Sequence, residues 1–369
     1  MYPIKTRRTD SPDRIDSLQA LRALAFLAVF LVHVDHRSEL TCLSIPTFFA
    51  LSGFLLAFRY REENLPVSPR ACFSFARRHI ARLYPLHLIT MVLSLALLLI
   101  GAVIQGFPKG TLSDLMLKAA MNVLLLQSWV PDREFCVSLN GVAWYLSASA
   151  FLYFMFPLLL RAVKRPRKAA LLPLCLLAPL LQTAACLPFT LSGNTGSNLY
   201  SWFMYCFPLF RLGDFWVGCC LGMYFAASEK REKPDWKGTA AELLAVAWTA
   251  AGIWWMGHHA ASPLPRAFHN WTTVYLTLAA PWVFLFACRR GYITAALTNP
   301  LTVALGNLSG YAFLIHFVVI QYAHTLITLT RGLPTGWKYE LLAAAELLLS
   351  LLLSSLYSRF MKMRAQAGA

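Results

Sequence analysis

Charge is what this sequence has least of. Only 14% of its 369 residues are charged, and Asp and Glu together number 17. A soluble globular domain carries about a quarter charged residues. That difference excludes a water-soluble enzyme of this length, and a chain held open by its own charge. Metal and redox spacings are missing as well. The nine cysteines are odd in number and contain no CxxC pair. Cys175, Cys206, Cys219, Cys220 and Cys288 fall in or beside apolar runs, where they read as small packing residues rather than a disulfide framework. His258 and His259 are adjacent and cannot both face one ion on a helix, so no metal is expected. There is no internal repeat, no low-complexity tract and no cleavable signal pattern. The longest stretch between clear apolar runs, 105–140, is too short to fold alone, so a single transmembrane unit over 1–369 with a short basic tail, 1–16, and no appended soluble domain is expected.

What the chain does have is apolar length. Hydrophobic residues make up 58%, and the mean hydropathy is +0.54. Apolar runs lie near 17–36, 45–60, 83–104, 141–160, 169–187, 206–227, 238–257, 271–288, 301–328 and 340–358. One helical span needs about 20 such residues. The expected fold is an all-α integral membrane protein, a polytopic bundle of about ten transmembrane helices. A weaker run, 112–130, holds Asp114, Lys118 and Asn122; it can span, lie at the interface or dip in as a re-entrant segment.

The net charge of +16 suggests nucleic acid at first sight. In a membrane protein, Lys and Arg report loop orientation instead, and no nucleic-acid partner is expected. With the N-terminus inside and 112–130 not crossing, 24 of the 33 basic residues fall on the cytoplasmic side. If 112–130 crosses, the asymmetry nearly vanishes. The positive-inside rule therefore favours ten spans with both termini cytoplasmic.

Ionisable residues inside spans are costly and mark function by default. The first run holds Arg22 and His33, eleven residues apart. At 100° per residue both lie on one helix face, separated by about 16 Å at 1.5 Å per residue. Snorkelling for Arg22 and helix packing for His33 are the plain alternatives. His36 shares the side of His33 nearer the outer end. At the mouth of the third run, Arg77, Arg78 and Arg82 precede Tyr84-Pro85. Arg78 and Arg82 at i, i+4 should stack on one face and suit a phosphate-bearing ligand, or else lipid headgroups. Arg211 and Asp214, at i, i+3, permit an intrahelical ion pair. His316 is a further intramembrane histidine.

Five segments, in order, resemble the membrane-bound acyltransferase 3 family. Ile15-Asp-Ser-Leu-Gln-Ala-Leu-Arg22 with His33 is similar to its first-span Arg-x10-His. Phe48-Phe-Ala-Leu-Ser52-Gly53 resembles its second span, and Arg78…Arg82-Leu-Tyr84-Pro85 its Arg-rich mouth. Trp144-Tyr-Leu-Ser147 is similar to its Trp-x-Leu-Ser segment, and Leu305-Gly-Asn-Leu-Ser309-Gly-Tyr311…His316 to its late span. The resemblance runs over about 15–325. In two places the chain departs from the pattern. His79 follows Arg78, where the family has a second arginine, and Ser149-Ala150 stands where many members have a glutamate pair.

The resemblance implies an O-acyltransferase, most often an O-acetyltransferase. It implies acetyl-CoA or another acyl-CoA as cytoplasmic co-substrate, and a cell-surface polysaccharide, glycolipid or lipid-linked acceptor. A bacterial plasma membrane, with its lipids as surroundings, follows from it too. Donor phosphates would meet Arg78, Arg82 and Arg22, with the thioester near His33. His33 then acts as general base on an acceptor hydroxyl or takes the acyl group covalently; both routes are open. Ser52, Trp144 and Ser147 are candidates for the oxyanion partner. A transporter of an anionic solute or lipid-linked sugar is the second class. A non-catalytic scaffold leaves Arg22 and His33 without explanation.

Overall fold

The structure, a computed structural model, describes residues 15–35, 38–104, 106, 110–228, 233–258, 273–330 and 335–367. Helices follow one another along the chain: α1 (Asp16–Asp35), α2 (Ser38–Arg59), α3 (Pro69–Ile80), α4 (Tyr84–Ile104), α5 (Thr111–Val123), α6 (Arg133–Cys136), α7 (Trp144–Lys164), α8 (Lys168–Leu191), α9 (Asn198–Tyr205), α10 (Pro208–Ser228), α11 (Trp236–His258), α12 (Thr273–Cys288), α13 (Tyr292–Leu297), α14 (Pro300–Thr330) and α15 (Trp337–Ala367). No strand occurs among the described residues. Each of the ten apolar runs becomes helix, as lipid requires of a single chain segment that must satisfy its own backbone. Among the described residues, eight helical segments are long and apolar enough to cross a membrane, with α9 and α10 counted as one. The other two expected spans, α11 and α12, fall short of that. α11 carries Lys237 and the buried Glu242, and α12 has 16 residues, about 24 Å of helix. The chain is a multi-pass membrane protein.

Two close helix crossings organise the bundle. On α10, Gly218 and Gly222 face α2: a side chain at Gly218 would begin 1.9 Å from the Ala50 carbonyl oxygen, and one at Gly222 2.6 Å from that of Phe54. Gly53 of α2 approaches the Phe215 carbonyl in the same way. Small residues spaced by four let membrane helices touch backbone to backbone, where dispersion contacts rather than the hydrophobic effect drive association. The second crossing joins α1 to α14, where Gly306 sits against the Gln19 backbone. Around this centre α4, α8 and α15 turn large apolar side chains outward, Val103, Leu180 and Leu348 among them. In water that surface would aggregate; in lipid it is the expected exterior.

The weak run gives no helix long enough to cross a membrane. α5 has 13 residues, about 20 Å, against about 30 Å of hydrocarbon. It lies along α4, then turns back through a short 3-10 turn at Gln127–Trp129. Side chains from the neighbours satisfy the backbone exposed by this turn. His87 Nε2–H donates to the Asn122 carbonyl (3.0 Å), Tyr84 to Val123 (2.8 Å) and Ser147 to Leu125 (2.6 Å). Leu125 itself is left-handed, at φ 55°. Non-helical backbone at membrane depth survives only where protein buries and pairs it. Lys118 and Asp114, the charges that weakened the run, pair at 2.6 Å.

One end of the bundle collects the basic loops. Lys164 donates to the Glu63 carbonyl, Lys168 to that of Ala227, and Asp235 pairs with Arg290 at 2.6 Å. The Arg290 guanidinium holds the Asp235 carboxyl below the usual carboxylate range.

The α2–α10 crossing yields a direct expectation. Gly218→Val drives a side chain into backbone, not into a movable side-chain end. It should destabilise the bundle by about 3 kcal/mol, read as a lower thermal midpoint in detergent and loss of monodisperse protein. Ala at Leu348, on the lipid face, should change neither.

Candidate active site

α1 and α14 together carry the candidate chemistry. His33 and His316 face each other with His316 Nε2 3.3 Å from His33 Nδ1. The Nδ1 of each ring also meets a carbonyl of its own helix. His33 Nδ1 lies 2.8 Å from the Val29 carbonyl, and His316 Nδ1 3.0 Å from that of Ala312. A carbonyl oxygen only accepts, so both neutral rings carry their proton on Nδ1. His316 Nε2 then offers its lone pair to His33 Nδ1–H, and the His33 lone pair is on Nε2. Phe26, Phe30 and Phe313 pack round His316, which is fully buried; His33 is half-buried, with Phe317 5.2 Å away.

His33 lines a cavity of about 210 Å³, shared with Arg133, Trp144, Tyr205 and Phe317. Arg133 is placed by the one-turn α6, whose N-terminus Asp132 caps through the Phe135 N–H, and by Asn198 of α9, which accepts the Arg133 backbone N–H at 2.7 Å. Its guanidinium lies 4.0 Å over the Tyr205 ring, and the Tyr205 and Trp144 rings are 4.6 Å apart.

Arg22 sits along the same α1 face, towards the basic end, and meets α14 as His33 does. Its Nη2 is 3.9 Å from where a side chain at Gly310 would begin. Its electrostatic neighbours are Tyr145, Tyr153 and Arg82. Arg82 donates from Nε to the Tyr311 hydroxyl at 3.1 Å and lies over that ring. Arg22, Arg82 and Tyr311 therefore gather where α1, the start of α4 and α14 meet. Ser52 and Tyr145 share a hydrogen bond at 3.4 Å, and Tyr145 also interacts with Ser149 and Tyr153 with Ser52.

One expected arrangement is corrected. Arg78 and Arg82 do not stack on one helix, because α3 ends at Ile80 and α4 begins at Tyr84. Pro85 has no N–H to give the Ala81 carbonyl, which breaks the ladder at this point. Arg78 donates to Ser74 (2.9 Å), back along α3, while Arg82 reaches across to α14. Nor is this segment only a rim. α3 runs along α7, with Phe75 5.1 Å from Phe156 and Ile80 packed on Leu146, while Arg78 stays exposed on its other face. Arg77 is exposed on the same helix.

The remaining candidates separate cleanly. Trp144 is on the cavity wall and Ser52 in the tyrosine cluster. Ser147 is occupied by Leu125 and by the Ser128 N–H, holding the turn that follows α5. Arg211 and Asp214, both fully buried, pair at 2.7 Å; Gln182 donates to Asp214, and Arg211 to the Met204 carbonyl. This sealed clamp does not line the cavity. His36 lies outside the described residues. Tyr145, Tyr153, Arg133 and Tyr205 were not anticipated. The first two had a readable signal, since Tyr145, Ser149 and Tyr153 recur every four residues on α7 and so form one polar stripe. Glu346, 2% exposed and 3.2 Å from His324, was also missed. No metal-suited group of three or more His, Cys, Asp or Glu occurs among the described residues.

The described helices form a multi-pass bundle in which a histidine pair and an arginine cluster lie at two depths of one helix face. Residues 15–359 match the acyltransferase domain of the acyltransferase 3 family, and the chain belongs to that family. It is similar to the acyltransferase MdmB of Streptomyces mycarofaciens, 26% identical over 322 residues, covering 82% of this chain and 74% of that protein. No solved structure matches. The chain is an acyltransferase, a transferase of groups other than amino-acyl groups.

The clamp generates a prediction of its own. Arg211→Met, leaving Asp214 buried with only Gln182, should cost about 3–5 kcal/mol, read in thermal unfolding. The double variant Arg211→Met with Asp214→Leu should recover most of that loss.

Proposed function

We propose that the protein transfers an acyl group, acetyl in the first instance, from cytoplasmic acyl-CoA to a hydroxyl of a cell-surface polysaccharide, glycolipid or related acceptor. It works as one transmembrane unit in a bacterial plasma membrane, with the basic end and both termini cytoplasmic. The observation that carries this reading is the single α1 face on which Arg22 and His33 both meet α14. A ligand that binds by anionic oxygens at one depth and reacts about 16 Å further along fits acyl-CoA, whose phosphates and thioester are joined by a long arm. Arg22 and Arg82 hold the phosphates, with Arg78 one step earlier on the way in.

At the far end, His33 Nε2 takes the proton of the acceptor hydroxyl as that oxygen attacks the thioester carbonyl. The C–S bond breaks, the thiolate of CoA leaves, and the same proton returns to it from His33. The Val29 carbonyl and His316 Nε2 together keep the His33 proton on Nδ1, so that Nε2 stays the basic nitrogen.

With labelled acetyl-CoA and membranes as the acceptor source, His33→Ala should lower transfer by about 10²–10⁴-fold while the protein remains folded in membranes. Wild-type-like turnover in that variant removes His33 from the chemistry. Arg22→Gln should raise the KM for acetyl-CoA about 10- to 100-fold. Wild-type enzyme given labelled donor and no acceptor should hold no covalent label after acid quench. Stoichiometric labelling would replace the direct route with the covalent one.

A further inference from the structure

Resting on the transfer reading above, we propose that the cavity beside His33 is the acceptor subsite, and that Arg133 in it selects an acceptor ring bearing an anionic oxygen group, a carboxylate or a phosphate. The cavity lies beside His33, along the turns from Val29 to His33 and from Phe313 to Phe317. Arg22, Arg78 and Arg82 are absent from its wall, whereas His33, Arg133, Trp144 and Tyr205 line it. Any molecule seated there touches the reacting histidine and the guanidinium together.

Size and surface narrow the occupant. A cavity of about 150 Å³ holds one benzene, so about 210 Å³ holds a single substituted ring and not an oligomer. The acceptor must present one ring and leave the rest outside. Trp144 and Tyr205, 4.6 Å apart and tilted by 44°, offer an aromatic wall to the apolar face of a saturated ring.

The charge of Arg133 narrows it further. Its guanidinium carbon stands 4.0 Å above the Tyr205 ring centroid, which occupies one flat face and leaves the in-plane N–H donors at its edge. No carboxylate lies within ion-pair distance of it among the described residues. The adjacent Asp132 is committed to the Phe135 N–H, and Glu134 is exposed. Asn198 pins the backbone of Arg133, and the Tyr205 ring holds its guanidinium at the cavity. Among the described residues this cation has no counter-ion, and a cation beside apolar walls binds an anion in preference to neutral hydroxyls.

The test uses full-length protein in nanodiscs, labelled acetyl-CoA, and an envelope extract of the producing cells split by anion exchange into a neutral and an anionic pool. Wild type should label the anionic pool. Arg133→Gln should raise the apparent KM for that pool about 10- to 100-fold, with kcat within threefold and the KM for acetyl-CoA within twofold. Arg133→Lys should recover part of the loss, a rescue that a purely structural role would not give. Phosphatase treatment of the labelled product identifies the source of the charge, since phosphate-borne charge is lost and carboxylate-borne charge is kept. Label confined to the neutral pool, or an unchanged acceptor KM in Arg133→Gln, overturns the assignment and leaves the transfer reading intact. Wild-type enzyme that labels neither pool overturns the transfer reading itself. If Arg133→Gln fails to elute as folded protein, Arg133→Lys and the choice of pool still decide.

Discussion

The approach of α1 to α14 at Gly306 is the contact on which the candidate site depends. With a side chain there, the two helices would be forced apart at the Gln19 backbone. Every pairing further along them would then open: Arg22 against Gly310 on the way, His33 against His316 beyond. Hydrogen bonds weaken steeply with distance and misalignment, so a small separation of the helices ends the contact between the two imidazoles. Membrane helices lack a hydrophobic force between them and rely on this kind of close contact. The same device, repeated between α2 and α10, holds the helices that carry Ser52 on one side and the Arg211–Asp214 clamp on the other.

Polar groups within the bundle fall into two kinds. Arg211, Asp214 and Gln182 are sealed and spend their bonds on one another and on carbonyls. Such a group is expensive to break and has no access to a substrate. Arg22 and His33 are half-buried, and His33 borders a cavity. They meet the cost of burial partly through neighbours and partly through exposure, which is the state expected of groups that must also reach a ligand. Residues of the same chemical type thus divide by accessibility into framework and site.

Much of this was legible in the amino-acid sequence because lipid simplifies the physics. Apolar length marks helices, charge asymmetry argued against 112–130 as a span, and the eleven-residue spacing of Arg22 and His33 placed them on one face. The intrahelical Arg211–Asp214 pair followed from i, i+3 geometry. What failed did so for local reasons. Stacking of Arg78 on Arg82 assumed a helix that Pro85 interrupts. Ser147 looked like a site residue but supports a turn whose backbone requirements are invisible until the turn is seen. The His33–His316 contact and the Arg133–Tyr205 wall join residues 283 and 72 positions apart, and no periodicity in one chain encodes that. The tyrosine stripe on α7 was readable at four-residue spacing, though its aromatic members passed as ordinary packing.

The central claim is that one helix face binds the donor at Arg22 and presents its thioester to His33. A structure of the protein with a non-hydrolysable thioether analogue of acetyl-CoA tests this most directly. The account predicts phosphate oxygens within hydrogen-bond distance of Arg22 and Arg82, and the sulfur with its acyl group in contact with His33. A bound analogue whose sulfur lies away from His33, with its phosphates on other residues, would contradict it.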